Sequence, residues 1–177
     1  MAYQETKDRK LPGLEQAQIL WIGQREIGDN GYHLNKNTED RIKRFVKKGG
    51  VVILSGQDSD PGRTCGSGWS PEPILGVEEQ TRRDFRIVNP LGAGNLFRKP
   101  NRVKSGEIVM DDTWTKWSKK YTVLATTNSG KYIALAMLKW GRGMYLITAL
   151  QNATEQDVKA NAPLMENLIH FAVNWVK

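Results

Sequence analysis

One cysteine and two histidines are all the readily titrated side chains this chain offers near neutral pH. Cys65 alone can close no disulfide within the chain and can build no multi-cysteine metal centre. That scarcity favours a reducing, cytoplasmic setting, although exported bacterial proteins are often cysteine-poor once their leader is removed. No apolar run approaches the roughly 20 residues that a membrane-spanning helix requires, so no membrane partner is expected. The opening MAYQETKDRKLPG is polar and charged, which is not the pattern of a signal peptide. Internal repeats, low-complexity tracts and interdomain linkers are also missing. The 177 residues, 39% hydrophobic and 25% charged, therefore read as one domain over 1–177 with residues 1–13 as a polar lead.

What is present is concentrated first in Thr38 to Asp58, TEDRIKRFVKKGGVVILSGQD. Asn37 or Thr38 can cap a helix, with Asp40 in the first turn where the helix dipole favours negative charge. Ile42, Phe45 and Val46 recur at helical spacing, and Lys47-Lys48-Gly49-Gly50 supplies a cationic last turn and a glycine stop. Val51 to Leu54 follows as an apolar run without polar alternation, the pattern of a strand buried on both faces. A helix feeding such a strand is half of a parallel α/β unit. Ligands of open α/β sheets sit beyond the strand's carboxyl end, here Ser55 to Asp60.

Elsewhere the pattern predicts strands at 17–22, 83–88, 106–110 and 121–126, and a hairpin over 131–149 turning at Trp140-Gly141-Arg142-Gly143. Residues 59–76, rich in glycine and proline, read as a long functional loop. Asn161 reads as the cap of a last helix with Pro163 in its first turn and an apolar stripe of Leu164, Leu168, Phe171, Ala172 and Trp175. The predicted architecture is three-layer α/β, flavodoxin-like, with a mainly parallel central sheet. In it the 17–22 and 51–55 strands are adjacent and parallel, and the hairpin lies near one edge.

The net charge of +7 is uneven. Arg82 to Lys120 holds ten Lys/Arg against four Asp/Glu, a local +6, interleaved with Phe85, Phe97, Trp114 and Trp117. That mixture suits nucleic acid, but no nucleic-acid motif accompanies it, and a solvated face with inward aromatics explains it as well. The glycine pairs Gly92/Gly94 and Gly141/Gly143 are not phosphate loops, since neither precedes a helix with Lys-Ser/Thr. Asp58, Asp60, Asp111 and Asp112 lack the spacing of a calcium loop. No resident metal or cofactor is expected.

Three stretches carry a family resemblance: Phe45 to Leu54, Trp140 to Tyr145, and Leu150-Gln151-Asn152 followed by Asn167 to Ala172. Together they resemble the class I glutamine amidotransferase-like superfamily, and within it the trehalose-utilisation (ThuA-like) proteins and the trimerisation domain of some β-galactosidases. The resemblance runs from about Leu14 to Val176, and its first strand and helix have no counterpart here. It implies either a trimmed fold or one segment of a larger protein, with a free sheet edge that favours self-association.

The resemblance implies a nucleophilic cysteine on the turn after the 51–54 strand and a histidine after a later one. This chain has Ser55-Gly56-Gln57-Asp58 and Leu150-Gln151-Asn152 at those places, so glutaminase activity is not expected. Cys65 lies further on, and only His33 could approach the same rim as its base. The expected function is a non-catalytic module that holds a small polar ligand, a sugar or a partner. The alternatives are a ThuA-like sugar-modifying enzyme and a nucleic-acid module through residues 82–120. The candidate ligand site comprises Gln57, Asp58, Trp69, Asp112, Trp114, Gln151 and Asn152, because aromatic faces beside amides and carboxylates grip polar hydroxylated ligands.

Overall fold

The computed structural model describes residues 10–23, 27, 34–57, 67–78 and 83–176. Among these residues eight strands form one mixed sheet: β1 (Ile19–Ile22), β2 (Val51–Leu54), β3 (Ile74–Glu78), β4 (Phe85–Ile87), β5 (Thr113–Trp117), β6 (Thr122–Thr127), β7 (Ile133–Trp140) and β8 (Gly143–Thr148). The described residues also form two α-helices, α1 (Lys36–Lys47) and α2 (Glu155–Trp175). The main path runs β1-β2-β8-β7-β5-β3, with β6 also paired to β7 and β4 to β6.

Only the β1–β2 and β2–β8 pairs are parallel; the five remaining pairings are antiparallel. This overturns the expected flavodoxin-like fold with a mainly parallel sheet. The reason lies in the connections. A parallel pair needs a crossover of a dozen or more residues, whereas antiparallel strands can be joined by short turns. Among the described residues only α1 supplies a helical crossover between strands, and none of those between Ile74 and Thr148 is α-helical. The β1–β2 pair is nonetheless parallel and adjacent as expected, in register from Ile19↔Val51 to Ile22↔Leu54. The β7–β8 hairpin forms too, but at the centre of the sheet instead of near an edge, because β8 pairs β2 on its other side.

Strand alternation divides the core. Val51, Ile53, Met144 and Leu146 face α2 through Leu164, Leu168 and Ala172. Val52, Leu54, Tyr145 and Ile147 face α1 through Ile42, Phe45 and Val46. Each of these aliphatic side chains contributes about 1.5–3 kcal/mol on full burial, so β2 and β8 have to be apolar on both faces.

Other boundaries moved for local reasons. Asn35, ahead of the expected position, caps α1 by accepting from the Thr38 backbone N–H. At α2, Thr154 and Asp157 form a reciprocal capping box, so Asn161 and Pro163 lie inside the helix. The 106–110 segment makes only an isolated bridge, Met110 to Leu150. Strands β3 and β5 went unrecognised, one inside a supposed loop and one inside a supposed ligand motif. No helix among the described residues is long and apolar enough to cross a membrane.

The two glycine motifs prove to be one contact. The hairpin turn lies against the end of α1, with the Arg142 backbone N–H donating to Lys47 O at 3.1 Å and the Arg142 guanidinium to Lys48 O at 2.8 Å. Gly141 has φ +60, and Gly143 passes so close to the Gly50 and Val46 carbonyls that no side chain fits.

Two buried phenols give the fold an alkaline limit. Burial raises the Tyr145 and Tyr121 hydroxyls well above the ordinary 10.0. Their folded-state pKa values exceed the unfolded ones, so their contribution is intact below about pH 10 and is lost as the pH climbs beyond it. Thermal melts between pH 8 and 11.5 are expected to fall above pH 10, and Tyr145→Phe is expected to flatten that fall. An equally steep fall in the variant would reject this origin.

Candidate functional site

The carboxyl ends of β2 and β8 are joined beyond the strands. The Gly56 N–H donates to Leu150 O at 3.0 Å, and a Cβ on Gly56 would crowd that same oxygen. Gln57 and Gln151 are therefore held on neighbouring chains of one rim, as the strand order requires.

Gln57 is buried and committed. Its Oε1 accepts from the Ile27 backbone N–H at 2.7 Å, and its Nε2 donates to Gly23 O at 2.9 Å and Ser55 O at 2.8 Å. Ser55, also buried, has its Oγ accepting from Trp21 Nε1 at 3.0 Å. The amide thus stitches the end of β1 to the turn after β2. Gln57→Leu is expected to cost about 2 kcal/mol by orphaning buried backbone groups, read as a shift in the urea midpoint. An unchanged midpoint would show that these bonds are dispensable.

Gln151 donates through Nε2 to Asp111 Oδ2 at 3.0 Å. Asn161, fully buried on α2, ties this corner together. Its Oδ1 accepts from the Val109 N–H at 2.8 Å, and its Nδ2 donates to Val109 O (2.8 Å), Gln151 O (2.6 Å) and Asn152 Oδ1 (3.2 Å). Asn161 is thus a bridge inside α2 and not the helix cap expected from the sequence. Its place one turn before Leu164 and Leu168, on the side of the apolar stripe, is the signal in the sequence that points inward.

The tryptophans lie in the core. Trp69 and Trp114 have no exposed surface and belong to the cluster on the α1 side of the sheet. The Trp69 carbonyl accepts from Tyr145 Oη at 3.0 Å, and its ring sits 6.0 Å from the Tyr145 ring. Asp112, two residues before Trp114, is buried at 8% exposure. Asp58, together with Asp60, His33 and Cys65, lies outside the described residues. The structure thus brings Gln151, Asn152 and Asp111 together, places Gln57 next to them across the Gly56–Leu150 contact, and puts Trp69 and Trp114 inside the fold. Two buried side-chain atoms among the described residues have no hydrogen-bond partner, Trp114 Nε1 and Gln151 Oε1, and both belong to the candidate set.

The basic segment is resolved in the same way. Phe85, Phe97 and Trp114 are buried, and Trp117 alone of the four is partly exposed. Arg98, Lys99 and Arg102 are exposed on the surface around Asn101, whose backbone is held by Asn167. Three of the four aromatics therefore have no face to offer a base, which leaves Trp117 and the surface charge for a polyanion. His170 is exposed on α2, about four turns from its start, with Asn174 beside its ring.

No protein-family model matches this sequence, and no curated protein matches it. Solved structures do resemble it. A cold-adapted β-galactosidase from Rahnella sp. R3 superposes with a TM-score of 0.58 at 15% identity, over 91% of this chain and 23% of that one. Gan42B, a GH42 β-galactosidase from G. stearothermophilus, gives 0.52 at 14% identity, over 90% of this chain and 23% of that one. A cytoplasmic protein from Salmonella typhimurium gives 0.55 at 15% identity, over 97% of this chain and 76% of that one. The chain thus has the fold of one segment of those β-galactosidases, spanning under a quarter of their length. At these identities the likeness speaks for fold alone. It agrees with the β-galactosidase side of the resemblance, and none of these three is described as an amidotransferase.

Proposed function

We propose that this chain is a non-catalytic module that holds a polar ligand or a partner in a carbohydrate-related protein, in the manner of a β-galactosidase trimerisation domain. The observation that carries the reading is the state of Gln57. At the place where the amidotransferase resemblance implies a nucleophile, this chain has an amide consumed by three backbone hydrogen bonds. Gln151, at the implied base, has no titration near neutral pH. A group that neither titrates nor is free to move orients its neighbours; it does not turn over a substrate.

Gln57, Asp58, Trp69, Asp112, Trp114, Gln151 and Asn152 remain the proposed ligand set. The two unmet polar atoms support it, because a buried donor and acceptor without protein partners are where a hydroxylated ligand or a bridging water gains most. Self-association or docking to other segments of a larger protein fits the 23% coverage of the β-galactosidases.

The test combines activity with binding. Glutamine with ammonia detection is expected to stay blank, and alkylating Cys65 is expected to change nothing. Titration with galactose, glucose and trehalose is expected to move Gln151 and Asn152 resonances, and Gln151→Ala, which removes the unmet acceptor, is expected to weaken that binding while the spectrum of the β2 and β8 amides stays unchanged. Thiol-sensitive ammonia release would overturn the reading, and sugar-induced shifts confined to residues 83–104 would overturn the ligand set.

A further inference from the structure

We propose that the opposite rim carries a second, separate site: a groove of about 330 Å³ at the amino ends of β1 and β2 that binds a small organic anion, a carboxylate or phosphate on an apolar body. This inference is independent of the rim around Gln57 and of the role proposed there.

The groove runs between the 3-10 turn at Leu14–Gln16, the end of α1 and the end of α2. Leu14, Phe45 and Val176 supply its apolar wall, Gly49 and Gly50 complete its lining, and the Phe45 ring packs into the space a side chain at Gly50 would take. Arg41, Arg44 and Lys48 supply the charge. They are spaced i, i+3 and i+7 and so share one side of α1 and its cap. A volume near 330 Å³ lies at the lower end of the range for small-molecule sites.

The three cations are not equivalent. Arg41 is fully engaged: Glu15 pairs with it at 2.7 Å, and the carbonyls of Lys10 and Leu11 accept from its guanidinium. The same pairing holds the Glu15 carboxyl below its usual range. Arg41 therefore builds the wall. Arg44 and Lys48 have no ion-pair partner among the described residues, and both line the groove.

Cations in a last helical turn often serve only to satisfy its carbonyls. Here that work is already done. The carbonyls of Arg44, Phe45 and Val46 accept from the N–H groups of Lys48, Gly50 and Gly49, and those of Lys47 and Lys48 accept from Arg142. The side chains of Arg44 and Lys48 are left over from capping. Glu15 also lines the groove, and its carboxyl feels Arg44 as well as Arg41, so three cations face one carboxylate and the wall stays net positive. Excess positive charge beside a concave apolar wall attracts an amphipathic anion more strongly than the same charge on a flat face, because the low-dielectric walls focus the field.

The test is an NMR titration of the 15N-labelled protein with phenyl phosphate, benzoate and phenol, three probes that share a ring and differ in charge. Phenyl phosphate or benzoate is expected to shift the amides of 44–50 and Val176 saturably at about 1 mM, and the ratio of the two constants names the preferred head group. Phenol is expected to leave those amides unmoved. Arg44→Ala with Lys48→Ala is expected to weaken binding roughly tenfold or more, while Lys116→Ala with Lys119→Ala leaves it unchanged. The double alanine variant keeps good helix formers on α1, so its fold is checked by an otherwise unchanged spectrum. Equal shifts with phenol, no saturable shift with either anion, or an unchanged constant in the groove variant would each overturn the proposal.

Discussion

Replacing Gly143 by alanine is expected to lower the melting temperature by about 10 °C. A Cβ at this position would fall well inside 3.0 Å of the carbonyl oxygens of Gly50 and Val46. Both obstacles are backbone, one entering β2 and one in the last turn of α1, so neither can swing aside as a flexible side chain would. Overpacking of this kind costs typically 1–3 kcal/mol and more when backbone must move, and we expect about 3 kcal/mol or above. Separating the turn from the helix would also strain the two bonds by which Arg142 satisfies Lys47 O and Lys48 O. Gly130→Ala is the control. Its φ of +74 disfavours a side chain, but open space surrounds it, so about 1 kcal/mol is expected. Equal melting shifts for the two variants would mean that the turn and the helix end are not locked as described.

Asn161→Leu is expected to cost about 3–4 kcal/mol, although leucine has the same heavy-atom branching and suits a helix better. The amide satisfies both the N–H and the carbonyl of Val109, a residue only 3% exposed, as well as the Gln151 carbonyl. Removing it leaves these groups buried without partners, and each costs about 1–3 kcal/mol in part offset by relaxation. The loss should be local before it is global. Hydrogen exchange at Val109 is expected to accelerate in Asn161→Leu at urea concentrations where β2 and β8 amides are still protected. Asn174→Leu, on the exposed side of α2, is expected to change stability by under about 0.5 kcal/mol. A stable Asn161→Leu with slow exchange at Val109 would show that α2 does not hold this corner.

These two residues also show what could be read in advance. The run from Thr38 to Leu54 announced a helix, a glycine stop and a strand buried on both faces, and the structure has all three, with β2 between β1 and β8. Such signals are local, because periodicity and capping are properties of consecutive residues. The hairpin at Trp140 to Gly143 was legible for the same reason. Its place was not: nothing in a hairpin's own sequence says that its second strand will pair with β2 on the far side. Strand β5, TWTKW, alternates as a strand should, yet its aromatic and acidic flank drew attention as a binding motif. Trp114 and Trp69 looked like surface equipment because their neighbours are polar, while burial depends on which strands stack above and below them.

By itself the sequence determined the helix α1, the two-sided strand β2, their parallel link to β1 and the existence of the β7–β8 hairpin, because each is signalled by periodicity, caps and turns within a short stretch. Tertiary structure alone decided that the sheet is mainly antiparallel, that Gly49-Gly50 and Gly141 to Gly143 serve one contact, that Asn161 is a bridge, and that Gln57 is spent on backbone. Those facts depend on partners up to 94 residues away in the chain, and which partner a buried polar group or a strand edge finds is settled only when the whole sheet has formed.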